Sequence, residues 1–361
     1  MVGVLAHPAN TEQRDRIRTV AITGTVQNGT SRVHVGGERI HIRAGRWTQQ
    51  SGVPGCLGSS GFDRGCNADV VGDPSEFSAE MAISLLAHET GEPYQLIGRL
   101  SGGETGAHKV LGPDGQPLVV KWDSRPESCQ LRSEAVVLSE RLRTNASWPV
   151  PTQSVVDAHE VRFVIQEFMP GVPPEHFDNQ LVEQLLALHS RRLGLARPGD
   201  PVHWPTALIM TLTTGGEGYC LHSSLRGYDG QTRSLVERIE AFGSTIDGTD
   251  LIGHDIVHWD LHAGNLLVHE RSLSAVVDTD FAVIGDASFD LVTLAMTSLT
   301  LPCDPGVRTR LFASAFDDLD DLRAQTYLAH LFIRLIDWPI RRGQRSEIAF
   351  WLSKADEMLK I

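Results

Sequence analysis

Residues 256–268 read Ile256-Val257-His258-Trp259-Asp260-Leu261-His262-Ala263-Gly264-Asn265-Leu266-Leu267-Val268. Residues 275–281 read Ala275-Val276-Val277-Asp278-Thr279-Asp280-Phe281, with Gly285-Asp286 and Phe289-Asp290-Leu291 beyond them. Two apolar runs, Leu266-Leu267-Val268 and Ala275-Val276-Val277, flank a polar turn at 269–274, which is the syntax of a hairpin. Such a hairpin brings Asn265, just before its first strand, close to Asp278, just after its second. Asp260 lies in the loop leading in. An amide oxygen and a carboxylate are hard ligands of the kind Mg²⁺ prefers, with water and phosphate oxygens completing its shell. A further carboxylate nearby can orient or deprotonate a hydroxyl nucleophile, an arrangement suited to phosphoryl transfer.

Working upstream, strands are expected near 94–100, 107–111, 118–122 and 161–166, with a helix over 129–142. Between the first two strands lies the Gly-rich stretch Ser101-Gly102-Gly103-Glu104-Thr105-Gly106. Downstream of Met169-Pro170-Gly171 the periodicity is mostly helical, over 181–193, 234–242, 289–299, 306–316, 322–338 and 347–359. A small sheet-rich lobe, 73–170, thus precedes a larger helical lobe, 171–361. Asp73-Pro74-Ser75-Glu76 reads as the start of a helix ending near Gly91, with Asp73 as its N-cap. Residues 1–72 hold no lysine and much Gly, Ser and Thr, and read as a flexible N-terminal extension. A small hairpin there, turning at Gly36-Gly37, is the alternative.

The chain has 361 residues and a formal net charge of −13. Residues 1–166 carry 18 acidic and 16 basic groups, and residues 167–361 carry 27 and 16, so the excess sits in the second half. This acidity argues against nucleic acid and anionic membrane surfaces as partners and suits a cationic partner or metal ions. The five scattered cysteines form no Cys-x-x-Cys pair, and no apolar run approaches a membrane span, so a cytoplasmic location is expected. Only Lys109, Lys121, Lys354 and Lys360 are lysines. Lys121 therefore stands out between Val119, Val120 and Trp122.

No P-loop, Rossmann fingerprint, nucleophile elbow or zincin helix is present. The motif His258-x-Asp260-x-x-x-x-Asn265 followed by Val277-Asp278, with Gly285-Asp286 and Phe289-Asp290-Leu291, resembles the aminoglycoside phosphotransferase family, relatives of protein kinases. The leucine-rich helix with His189 resembles that family's helix after the interlobe linker. The likeness covers roughly residues 79–361. It implies an α+β, protein-kinase-like two-lobed fold, with ATP or GTP and Mg²⁺ as cofactors and a small-molecule hydroxyl as acceptor. By the same resemblance, Asp260 is the catalytic base and Asn265 and Asp278 hold Mg²⁺. Lys121 contacts the α/β-phosphates and Glu134 pairs with it. Ser101, Gly102, Gly103 and Gly106 cover the phosphates. Glu167, Phe168 and Met169 form the hinge that offers main-chain groups to the base. Asp286 and Asp290 brace loops. Trp259 replaces the glycine common in small-molecule members and stands where it could narrow the pocket. Thr-Asp after Asp278, in place of Phe-Gly, argues against a protein kinase.

Asp280 is read as a solvated loop carboxylate in preference to a second metal-shell residue, and the run Asp317-Asp318-Leu319-Asp320-Asp321 as a solvated turn between helices in preference to a site for substrate ammonium groups. A rival reading places His254, His258 and His262 on one helical face as the site of a metal-dependent hydrolase. A nucleotide-binding pseudokinase is a third reading, although Lys121, Asp260, Asn265 and Asp278 are all present.

Overall fold

A computed structural model describes residues 30–35, 38–43 and 78–361, apart from 101–105, 160 and 217. The chain divides into two units, Met1–Val70 and Val71–Ile361. In the first, β1 (Thr30–Val35) pairs antiparallel with β2 (Glu38–Arg43), Arg32 opposite His41. This is the hairpin alternative; the flexible-tail expectation for the rest of 1–72 lies outside the described residues.

The second unit opens with α1 (Ala79–Thr90), capped by the Ser78 hydroxyl and closed by Gly91 at φ 70°. The N-cap is thus Ser78 and not Asp73, which lies outside the described residues. Next come β3 (Gln95–Arg99), β4 (His108–Leu111), β5 (Pro117–Asp123), α2 (Pro126–Asn145), β6 (Gln153–Ala158) and β7 (Val161–Glu167). The strands form one antiparallel sheet in the order β3-β4-β5-β7-β6. β-Alternation on β5 sends its side chains to opposite faces. Val120 joins Val110, Phe163 and the α1 residues Ala82, Ile83 and Leu86 in an apolar layer. Each fully buried large side chain there contributes about 1.5–3 kcal/mol. Val119 and Lys121 take the opposite face.

The helical lobe comprises α3 (Asn179–Arg191), α4 (Trp204–Thr213), α5 (His222–Tyr228), α6 (Gly230–Gly243), α7 (Ser288–Thr297), α8 (Val307–Phe316), α9 (Asp321–Arg342) and α10 (Arg345–Met358). Two small antiparallel pairs are inserted between α6 and α7. They are β8 (Asp255–Val257) with β11 (Val283–Gly285), and β9 (Leu266–His269) with β10 (Ser272–Val276). The β9–β10 turn is tighter than the sequence suggests: Glu270 and Arg271 alone make it, both with positive φ (49° and 65°). Two left-handed residues in succession match the right-handed twist of the flanking strands, here without the usual Asn or Gly. Asp320 caps α9 through the Arg323 N–H, 2.9 Å away, so the acidic run is an inter-helix turn.

An aromatic cluster fills the core below the hairpins. Trp204 sits edge-on to Trp259, Phe289 and Tyr327, with ring centroids 5.0, 5.2 and 5.8 Å apart. Gly285 is required here by contact, because a Cβ would lie 2.5 Å from the Trp204 ring. Among the described residues no helix is long and apolar enough to cross a membrane.

Candidate functional site

The loop between β8 and β9 is shaped from beneath by Asp290 on α7. Its two carboxylate oxygens accept the consecutive N–H groups of His258 (2.7 Å) and Trp259 (3.0 Å). Arg192, fully buried at the end of α3, pairs with the same carboxylate and also donates to the Ile256 and Ala287 carbonyls. Buried charges persist only when paired and hydrogen-bonded, and this pair is both. Asp286, the other expected brace, accepts the Tyr327 hydroxyl (2.8 Å) and the Ser288 N–H (2.9 Å).

His258 completes the bracing. Its Nδ1 accepts the Asp260 N–H (3.3 Å) and its Nε2–H donates to the Val277 carbonyl (2.9 Å), which ties the Asp260 loop to the end of β10. Trp259 adopts φ 74°, a left-handed conformation that glycine takes at no steric cost. Its indole, only 6% exposed, packs against Trp204, Phe289 and His330. The side chain therefore enters the core and does not narrow the pocket, and core packing holds the strained backbone in place.

Asp260 follows directly. The Asn265 amide donates to its carbonyl (2.9 Å) and carboxylate (3.2 Å), and Arg334 of α9 pairs with it at 2.8 Å. Burial pushes this carboxyl up. The Arg334 guanidinium, with His262 and His258, outweighs burial and holds it well below the usual carboxylate range. Arg334 also donates to the Trp259 carbonyl. Nothing in the local sequence marks Arg334, which lies on a helix far downstream.

Asn265 is next to the second half of the site because its carbonyl accepts the Val277 N–H at 2.9 Å. Asp278, at φ 62°, then turns one carboxylate oxygen to Lys121 Nζ, 2.6 Å away. Asp280 lies 3.1 Å from the same Nζ and 2.6 Å from an Arg132 nitrogen. Gln166 reaches it at 3.4 Å. Burial lowers the Lys121 pKa, but the Asp280 and Asp278 carboxylates more than offset this and hold it above its ordinary value. Asp280 is also buried, so the reading of it as a solvated loop residue is corrected.

Lys121 and Glu134 do not pair. The Glu134 carboxylate instead meets His203 at 3.0 Å and Gln130 at 3.1 Å. Arg132 and Glu134 are two positions apart on α2, so they point to nearly opposite sides of the helix. The side facing Lys121 is the arginine's. At the hinge, Glu167 and Phe168 spend their N–H groups on the Thr152 and Pro117 carbonyls (3.0 and 3.3 Å). Among the described residues the Met169 N–H has no acceptor. The Phe168 ring lies under Lys109, 3.8 Å from the ammonium. Ser101, Gly102 and Gly103 lie outside the described residues; Gly106 is left-handed at φ 69°.

The histidines do not share a helical face. Asp255–Val257 is a strand, His258 is spent on bracing, and His262 caps the Gly264 N–H at 3.0 Å. Among the described residues no three His, Cys, Asp or Glu side chains could hold a metal ion by themselves. Asn265 and Asp278 nonetheless fit Mg²⁺ in donor chemistry. Among the described residues the Asn265 side-chain oxygen accepts no hydrogen bond, and one Asp278 oxygen is likewise uncommitted. A small oxygen-ligand set that needs phosphate and water oxygens is how Mg²⁺ is usually held.

No curated protein sequence matches the chain. Among solved structures, a thermostable mutant of aminoglycoside phosphotransferase APH(4)-Ia, in a ternary complex with ADP and hygromycin B, is 14% identical with a TM-score of 0.52. The match covers 76% of this chain and 97% of that one. The GDP complex of a mutant aminoglycoside 2'-phosphotransferase-IIIa is 14% identical, with a TM-score of 0.52 and coverage of 78% and 97%. A protein assigned as a fructosamine-3-kinase from Haemophilus somnus 129PT is 14% identical, with a TM-score of 0.50 and coverage of 77% and 96%. These likenesses carry the fold, which is the kinase-like α+β one. The sequence profile of the phosphotransferase enzyme family matches residues 97–325. With the profile running from within β3 to the start of α9 and taking in the Asp260 loop, the chain belongs to that family and is a phosphotransferase with an alcohol group as acceptor.

Proposed function

We propose that the protein transfers the γ-phosphoryl group of ATP or GTP to a hydroxyl of a small molecule. The observation that carries this reading is the convergence of Lys121, Asp278, Asn265 and Asp260 along one continuous line of contacts. In this reading Lys121 binds the α/β-phosphates and Met169 offers its N–H to the base. Mg²⁺ held by Asn265 and Asp278 would neutralise charge on the transferring phosphates. Asp260 accepts a hydrogen bond from the acceptor hydroxyl and points its oxygen at the γ-phosphorus. As the new P–O bond forms and the bond to the β-phosphate oxygen breaks, the hydroxyl proton passes to Asp260. A carboxylate held below its usual pKa range is a weak base, so it acts first by orientation and takes the proton late. That suits a loose transition state in which positioning and electrostatics dominate.

The acidic excess of residues 167–361 supports a cationic acceptor such as an aminoglycoside or an amino alcohol, and a sugar hydroxyl fits as well. Arg334 beside Asp260 favours an acceptor whose ammonium groups stand away from the reacting hydroxyl. The test is a screen of hydroxyl-bearing compounds for acceptor-stimulated consumption of ATP and GTP. With a hit in hand, Asp260→Ala is expected to lower turnover by roughly 10²–10⁴ while nucleotide binding is kept. Unchanged turnover in that variant would overturn the assignment.

A further inference from the structure

The lysine that grips the nucleotide in this reading needs a fixed carboxylate to hold it. The residue expected to supply one, Glu134, is turned to His203. Asp278 contacts Lys121 at 2.6 Å but is itself the carboxylate assigned to Mg²⁺. Asp280 carries neither conflict. One of its oxygens lies 3.1 Å from Lys121 Nζ and 2.6 Å from Arg132, and the other accepts from the Gln166 amide. All four side chains are buried: Lys121 at 6%, Arg132 at 5%, Gln166 at 4% and Asp280 at 5% exposed.

We infer that Asp280 is the positioning residue of Lys121, and that Arg132 fastens it to α2. This rests on the phosphotransferase reading and adds to it a polarity. Helix α2 reaches the lysine not with an acid but with a cation, and the acid between the two cations comes from the segment after the metal-binding aspartate. Lys121 and Arg132 repel each other, and Asp280 is the group that lets both stay buried. When nucleotide and metal draw Asp278 away, Lys121 keeps a partner. Its ammonium stays aimed at the phosphates and does not have to be reoriented at each turnover. Arg132 also lies 3.8 Å from Asp123 at the end of β5, which ties the helix to the strand that bears the lysine.

The experiment uses the full-length protein and a fluorescent ATP analogue with Mg²⁺, alongside steady-state kinetics with the acceptor found in the screen. Asp280→Asn removes the charge and is expected to weaken nucleotide binding about 10–100-fold, the loss of one charge-assisted hydrogen bond. The KM for nucleotide should rise in parallel while the KM for acceptor stays within about twofold, a split that general loosening does not produce. Asp280→Asn leaves Arg132 buried without its carboxylate, so the double variant Arg132→Met/Asp280→Asn is made in parallel, and it should show the same loss. Glu134→Gln should bind nucleotide within about twofold of the wild type, since it gives up only a half-exposed contact to His203. Nucleotide affinity unchanged in both Asp280 variants, or lost instead in Glu134→Gln, overturns the inference and leaves the phosphotransferase reading standing. A wild-type protein that binds no nucleotide overturns that reading and the inference with it.

Discussion

Arg334→Met isolates the electrostatic setting of the Asp260 carboxylate, because it keeps most of the side chain's volume and removes its charge. The guanidinium stands 2.8 Å from Asp260, with the two side chains 18% and 30% exposed. At that distance a pair of unit charges is worth about 1.5 kcal/mol in a water-like dielectric and about 6 kcal/mol at an effective value of about 20. Partial exposure on both sides places the working figure near the lower end, about 2 kcal/mol, or roughly 1.5 pH units. Arg334 stabilises the ionised form, so removing it must raise the Asp260 pKa towards its ordinary value. The depressed pKa also lends stability that is present above the unfolded value of about 3.9 and lost as pH falls through the folded one; the variant forfeits that share at neutral pH. The assay is kcat at saturating nucleotide and acceptor, followed from neutral pH down to the acid limit of the folded protein. The acid limb of Arg334→Met should lie roughly 1–2 pH units above that of the wild type. A variant whose profile superimposes on that of the wild type would refute the argument.

Two stability measurements test the frame around the loop. Trp259→Gly relieves a left-handed backbone, a gain of about 1–2 kcal/mol, but empties a site in the aromatic cluster at a cost of about 3–5 kcal/mol. The net expectation is a loss of roughly 2–3 kcal/mol in urea unfolding; a more stable variant would show that the packing does not hold the loop. Asp290→Asn breaks the buried pair with Arg192 and replaces one oxygen that accepts a loop N–H, and should cost about 3–5 kcal/mol by the same measurement. A loss below about 1 kcal/mol would place the loop's support elsewhere.

The catalytic loop and its hairpin were legible because their chemistry is local: Asp260, Asn265 and Asp278 lie within one short stretch bounded by apolar strands. Lys121 was legible by contrast, a lysine in an apolar strand of a lysine-poor chain. What escaped depends on which way a residue faces. Periodicity locates α2 but does not say which side meets the lysine, so the expectation of Glu134 misses Arg132, and the expectation of a solvated Asp280 misses its burial. Helix α4 escaped because the β-branched Thr206, Ile209, Thr211 and Thr213 weaken its helical signature. Helix α5 is short and contains Gly227. Arg334 could be found only by folding α9 against the loop, since no spacing rule links residues so distant in sequence.

The double grip of Asp290 has a consequence for how this enzyme can change. The amides of His258 and Trp259 are sealed under the aromatic cluster and bound to a carboxylate that is itself fastened by Arg192. Those two hydrogens are expected to exchange with water only as fast as the lobe as a whole opens, which places the Asp260 loop in the most slowly opening part of the molecule. A new acceptor is therefore to be accommodated by the surrounding surface, as on a workbench whose vice is cast into the table, while the Asp260 carboxylate keeps its address.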